Sequence, residues 1–166
     1  FMGIGFETTS PTVAATVLRA ARQGTPNFFV FPAFKLVPPA LEALASSKES
    51  RVDGFILPGH VSAILGCEPY EPIARGHRLP CVITGFEALD VLEGVAMLLE
   101  QRRAFRAEVE VQYRRAVPRE GNRTAQALLA QVFRPTDARW RGLGPIPGSG
   151  LAFADEFARF DARSRI

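Results

Sequence analysis

Cysteine, lysine and tryptophan are scarce in this sequence, and it contains no long uncharged apolar run. The two cysteines, Cys67 and Cys81, lie well apart and neither belongs to a CxxC pair. That spacing argues against a zinc knuckle or an iron–sulfur cluster held within these residues. No segment reaches the roughly 18 apolar residues that span a bilayer; the best window, Val91 to Leu99, is broken by Glu93 and reads as an amphipathic helix. With no membrane segment and no sign of secretion, the expected setting is the cytoplasm, with both cysteines as free thiols. Cys81 falls in an apolar run and should pack as a small hydrophobe, whereas Cys67 follows Gly66 at a helix end and is expected at the surface.

Several catalytic signatures are also missing. There is no GxxxxGK[ST] loop, no GxGxxG fingerprint and no GxSxG elbow, and His60 and His77 do not stand in HExxH spacing. The formal charge of +3 comes almost wholly from arginine, since Lys35 and Lys48 are the only lysines. The densest basic stretch, Arg102 to Arg123, is interrupted by acidic residues and offers only Phe105 and Tyr113 as rings. A nucleic-acid groove needs a basic stripe with several stacking aromatics, so this stretch reads as a solvated face.

What is present is an alternation of strand and helix patterns. Phe1 to Phe6, Asn27 to Phe31, Val52 to Leu57 and Leu79 to Thr84 are strand-like. Between them, Ser10-Pro11 opens a helix as cap and first-turn proline, with Val13, Val17, Leu18 and Ala21 on one face. Further helices are expected over Leu36 to Ala45, from Val61 to Leu65, and over Ala88 to Arg103. Such spacing implies βαβ units: a Rossmann-like α/β fold with a mainly parallel sheet flanked by helices. Residues 1–105 are expected to form this domain, and 106–166 to continue it or to begin a neighbouring lobe. In the later part, Ala107 to Tyr113 alternates like a strand, Gly121 to Phe133 is helical by period, and Ala154 to Phe160 is a short helix. Trp140 to Gly150 is so rich in glycine and proline that irregular structure is expected there. The opening Phe1-Met2-Gly3-Ile4 is already strand-like, which suggests the interior of a longer protein, with exposed apolar surface near Phe1 or Phe28.

Right-handed crossovers bring the strand ends to one edge, where parallel sheets bind ligands. The polar residues at those ends are Glu7, Thr8 and Thr9, then Lys35, His60, Glu87 and Asp90, and they are the cleft-lining candidates. Thr9 and Ser10 also suit helix caps. Glu7 and Glu87 stand out because each follows an apolar strand and a phenylalanine, where an unpaired carboxylate is costly. They belong to an internal echo, Gly5-Phe6-Glu7 and Gly85-Phe86-Glu87. His60 either presents a neutral imidazole at the crevice or bonds a neighbouring loop. Lys35 suits an anionic ligand. No metal-ligating set is assigned.

In order along the chain come Gly5-Phe6-Glu7-Thr8-Thr9-Ser10-Pro11, Lys35-Leu36-Val37-Pro38-Pro39-Ala40, Asp53-Gly54-Phe55-Ile56 and Pro58-Gly59-His60-Val61-Ser62. Then follow Pro80-Cys81-Val82-Ile83, Gly85-Phe86-Glu87, Gln112-Tyr113-Arg114, Glu120-Gly121-Asn122, Trp140-Arg141-Gly142-Leu143-Gly144, Ser149-Gly150-Leu151 and Phe160-Asp161-Ala162-Arg163. This ordered set resembles the central segment of the HypD family. Small departures are Ser10 for alanine, Phe34 for histidine and Ala88 for proline. The resemblance implies a scaffold for assembling the iron centre of nickel–iron hydrogenase, whose iron carries cyanide and carbonyl. It also implies a HypC-type chaperone and a HypE-type cyanide carrier as partners. Full-length relatives are expected to carry iron and an iron–sulfur cluster on cysteines that do not correspond to Cys67 or Cys81. The competing expectation is a stand-alone α/β small-anion binder or enzyme using His60, Lys35 and the strand-end carboxylates.

Overall fold

The computed structural model describes residues 1–165, and the chain divides into two compact units, Phe1–Ala40 with Arg123–Ile166, and Leu41–Asn122. The boundary expected at residue 105 falls inside the second unit. The strand that follows it hydrogen-bonds to a strand that precedes it, so the chain cannot be parted there.

In the first unit β1 (Met2–Gly5) runs parallel to β2 (Phe31–Phe34), joined by α1 (Ser10–Arg22). Val13, Val17 and Leu18 of α1 are buried, the face expected from the spacing. The helix starts one residue earlier than its serine suggests: Thr9 is the cap residue, without a side-chain cap bond, and Ser10 is buried. Asn27 to Phe31 is mostly the approach to β2, which lies further along the chain. Then α2 (Val37–Ser46) begins.

After α6 (Arg123–Val132) the chain forms an antiparallel hairpin, β6 (Phe133–Trp140) and β7 (Gly144–Phe153). This corrects the expectation of irregular structure in the Gly/Pro-rich stretch. Gly142 and Gly144 take positive φ at the turn, where glycine costs nothing, and the register shifts between Thr136 and Ala138. The Trp140 indole donates to the buried Ser149 hydroxyl at 2.8 Å, and that hydroxyl donates to the Ile146 carbonyl at 2.7 Å. Phe133 packs between Phe34 and Phe153, with centroids 5.6 and 4.9 Å away. Fully burying one such ring contributes on the order of 2–3 kcal/mol. The last segment is short 3₁₀ turns, Asp155–Phe160 and Ala162–Arg165, instead of an α-helix. Phe1, Met2 and Ile4 are exposed, while Phe28 is half-buried against Phe160.

The second unit holds three parallel strands in the order β3 (Phe55–Pro58), β4 (Cys81–Thr84), β5 (Val109–Val111). Every residue of central β4 is buried, as befits a strand covered on both faces. α3 (Gly59–Leu65) follows β3 directly, and α5 (Ala88–Arg103) follows β4. A 3₁₀ turn at Glu68–Tyr70 and α4 (Glu71–His77) were not legible as periodic segments, being short and opened by prolines. Their Tyr70, Ile73 and Ala74 close one face of the sheet together with Phe55, Leu57 and Ile83. Cys67 is buried in this core, contrary to its expected exposure, because its N–H donates to the Arg119 carbonyl and draws that loop over it. Among the described residues no helix is long and apolar enough to cross a membrane.

Candidate functional site

The strand-end candidates fall into two sets, one in each unit. In the first unit, Glu7 leaves β1 and turns inward, with 1% of its surface exposed. Its Oε1 accepts the Val37 N–H at 2.8 Å, the first amide of α2. Pro38 and Pro39 follow and have no N–H to satisfy, so this bond meets much of the helix start's demand. Oε2 of Glu7 is buried without a hydrogen-bond partner. Burial raises its carboxyl from the ordinary 4.5 to about 7, against the opposing pull of backbone hydrogen bonds. Thr8 and Thr9 are exposed. Thr9 packs over Gly5, whose φ of 143° and lack of a Cβ make room for it. Lys35 is half-buried, and its ammonium has no ion-pair partner among the described residues.

In the second unit His60, Glu87 and Asp90 gather around residues whose importance the sequence reading missed. Asp90 is buried and accepts both Arg115 guanidinium nitrogens, at 2.8 and 2.7 Å, and Gln112 Nε2 at 2.9 Å. The Arg115 bonds, then the Gln112 bond, hold its carboxyl down at about 2. Gln112 also donates to Glu93 at 2.8 Å and accepts from the Gly85 N–H at 3.3 Å. Glu87 differs from expectation: its side chain is 81% exposed and caps α5 in a reciprocal box with Asp90. An exposed carboxylate carries no burial cost, so the ground for singling it out with Glu7 disappears.

His60 is exposed at the start of α3. Its ring lies 4.3 Å from that of Phe86 and 6.4 Å from that of Tyr113, centroid to centroid. The Arg115 guanidinium sits 4.4 Å over the Tyr113 ring. Beneath this surface a Cβ on Gly59 would stand 2.7 Å from Tyr113, and would also strike the Thr84 carbonyl oxygen. A Cβ on Gly85 would stand 2.8 Å from the other edge of the same ring. The glycines of the Pro-Gly-His and Gly-Phe-Glu motifs are therefore what lets Tyr113 lie against the strand ends. Phe86, Gln112, Tyr113 and Arg115 complete the surface. Gln112 and Tyr113 stand together within one motif, but nothing in the sequence ties Arg115 to Asp90.

The iron and cluster implied for full-length relatives find no matching donor set. Among the described residues no three His, Cys, Asp or Glu side chains gather as metal ligands. Both thiols are buried; burial pushes Cys81 up to about 12 and raises Cys67. Neither is poised to become a thiolate ligand, and no chemical step is assigned to a bound metal.

The family described as "HypD: Hydrogenase formation hypA family" matches residues 1–166. The chain is 45% identical over 172 residues to hydrogenase expression/formation protein HupD of Azotobacter chroococcum mcd 1. It is 43% identical over 167 residues to hydrogenase maturation factor HypD of Escherichia coli strain K12, and 44% identical over 174 residues to that of Cupriavidus necator. All of this chain is covered in each case, against 45, 45 and 46% of the respective relative, so it spans about half the length of the curated relatives it matches.

Proposed function

The chain belongs to the HypD family, and from that premise we propose that it serves hydrogenase maturation as a structural scaffold. Its cargo in this reading is the iron of the nickel–iron centre, with its cyanide and carbonyl ligands. Its partners are a HypC-type chaperone and a HypE-type cyanide carrier. The observation that carries the reading is the surface formed by His60, Phe86, Tyr113 and Arg115. Its His60, Phe86 and Arg115 are exposed and its Tyr113 half-buried; it is built on strand ends that admit no Cβ and braced by the Asp90–Arg115 pair.

Such a surface positions and contacts; it contains no activated nucleophile, since both thiols are buried and raised. His60 offers an imidazole to a ligand or partner, and Arg115, paired with Asp90, packs over the Tyr113 ring. A second reading, small-anion binding, draws on the Lys35 ammonium of the first unit, which has no ion-pair partner among the described residues.

The test is a chimera. Residues 1–166 replace the matching segment of the Escherichia coli relative in a strain lacking its own copy. Restored nickel–iron hydrogenase activity, lost again on His60→Ala with the protein still folded and abundant, is the expected result. A folded, abundant chimera without activity counts against the scaffold reading. So does one indifferent to His60.

A further inference from the structure

The ring of Tyr113 is wedged between two strand ends of the second unit. Just past β5, the Gln112 and Tyr113 N–H groups both donate to the Ile83 carbonyl, at 2.9 and 3.2 Å. The Tyr113 carbonyl accepts the Ala116 and Val117 N–H groups, each at 3.1 Å, so its backbone is fixed on both sides. Its side chain meets the turn from β3 into α3, where Gly59 precedes His60. It also meets the turn from β4 into α5, where Gly85 precedes Phe86. A Cβ on Gly59 would fall 2.7 Å from ring carbon Cδ1, and one on Gly85 2.8 Å from Cδ2. Both turns therefore bear directly on opposite edges of one ring. That ring sets their spacing, and the residues following the two glycines, His60 and Phe86, stand with ring centroids 4.3 Å apart.

The face of the ring is occupied as well. The Arg115 guanidinium carbon lies 4.4 Å from its centroid, close enough for a cation to be drawn to the π face. Arg115 is itself aimed by Asp90: Nη1 donates to Oδ1 at 2.8 Å and Nη2 to Oδ2 at 2.7 Å. Such a fork fixes the plane of a guanidinium as well as its distance. Asp90 is held in turn by the Gln112 amide at 2.9 Å and the Glu87 N–H at 3.4 Å, within the first turn of α5. A continuous set of contacts thus runs from α5 through Asp90, Arg115 and Tyr113 to the two turns that carry His60 and Phe86.

We propose that Tyr113, clamped by Arg115 on Asp90, is the positioning residue of the His60 surface: it holds the two turns at the spacing that stacks the His60 imidazole on Phe86, and so sets the direction in which His60 meets what it contacts. The proposal rests on the scaffold reading, in which His60 makes that contact. It divides the surface into two kinds of residue. His60 touches, while Tyr113 and Arg115 act through it. A positioned group loses function when it is displaced even slightly, without any loss of its own chemistry.

The experiment reads the imidazole proton resonances of the histidine-labelled 166-residue chain by NMR. The chain has two histidines; His77, bonded to Glu42 at 2.7 Å, lies outside the surface and reports that the unit stays folded. The Phe86 ring current displaces the His60 resonances, and Phe86→Ala gives their position without it. Tyr113→Leu and Arg115→Lys should move the His60 resonances toward that position, with those of His77 unmoved. Lysine keeps a cation beside Asp90 but has neither fork nor plane, so this exposed substitution decides the matter if Tyr113→Leu fails to fold. Tyr113→Phe keeps the ring and should leave His60 where it is. A merely structural role would lower the urea midpoint and leave the His60 resonances of the folded protein unmoved; that result overturns the proposal, as does a Tyr113→Phe shift as large as that of Tyr113→Leu. In the hydrogenase chimera, Arg115→Lys should lower activity at least about tenfold, since a misplacement on the order of 1 Å costs more than that. A chimera that depends on His60 but not on Arg115 also overturns the proposal. One indifferent to His60 counts against the scaffold reading, and the NMR shifts alone then decide the positioning.

Discussion

The two units carry the same three residues at a strand end, Gly5-Phe6-Glu7 and Gly85-Phe86-Glu87, and do opposite things with the carboxylate. Glu87 is followed at once by α5, so it occupies the cap position and faces water. Glu7 is followed by Thr8 and Thr9 before α1 starts at Ser10, and it turns inward onto the first amide of α2. Two extra residues between strand and helix thus decide whether a glutamate is a solvated cap or a buried acid. The buried charge in the second unit is Asp90 instead, and it is neutralised by Arg115. One unit buries an acid whose carboxyl is raised to about 7; the other buries one by pairing it.

The comparison breaks most severely where its scaffold is removed. Gly59→Ala places a methyl group against the Thr84 carbonyl and Tyr113, so backbone as well as ring must move. A loss of about 3 kcal/mol in urea unfolding is expected, the upper end of overpacking costs, together with loss of the His60–Tyr113 geometry. A near-neutral variant would mean that the strand end is looser than this account requires.

A comparable effect, but a pH-dependent one, is expected for Glu7→Gln. Folding raises the Glu7 pKa from 4.5 to about 7, so the folded state holds the proton more tightly than the unfolded chain. Stability from this group is complete below the unfolded value and is lost as pH rises through about 7. The loss amounts to about 3 kcal/mol by alkaline pH. Glutamine cannot ionise, so the variant's urea midpoint should stay flat where the wild type declines between about pH 5 and 8. Parallel pH profiles would contradict the buried-acid assignment. The smallest effect belongs to Glu87→Ala: loss of a cap, about 1 kcal/mol. A much larger loss would show that Glu87 does more than cap α5.

The parallel α/β character, the span of α5 and the buried face of α1 were legible because their apolar periodicity is strong. The hairpin of Phe133 to Phe153 was not, since glycine and proline read as breakers until their places at the turn and the register shift are known. For the candidate site, strand-end position identified Glu7, His60 and Asp90 as polar groups near helix starts. It could not distinguish Glu7 from Glu87, whose fates depend on where the next helix begins. Nor could it reveal Arg115, because a pairing across 25 residues is set by the sheet bringing β5 beside β4.

The most direct test is a carbon-detected NMR titration of the carboxyl groups in the intact chain. Glu7 should titrate near 7, while Asp90 should stay ionised until the pH approaches about 2, its contribution to stability being lost only over that acid range. If Glu7 titrates near the ordinary 4.5, it is not a buried acid and the account is wrong.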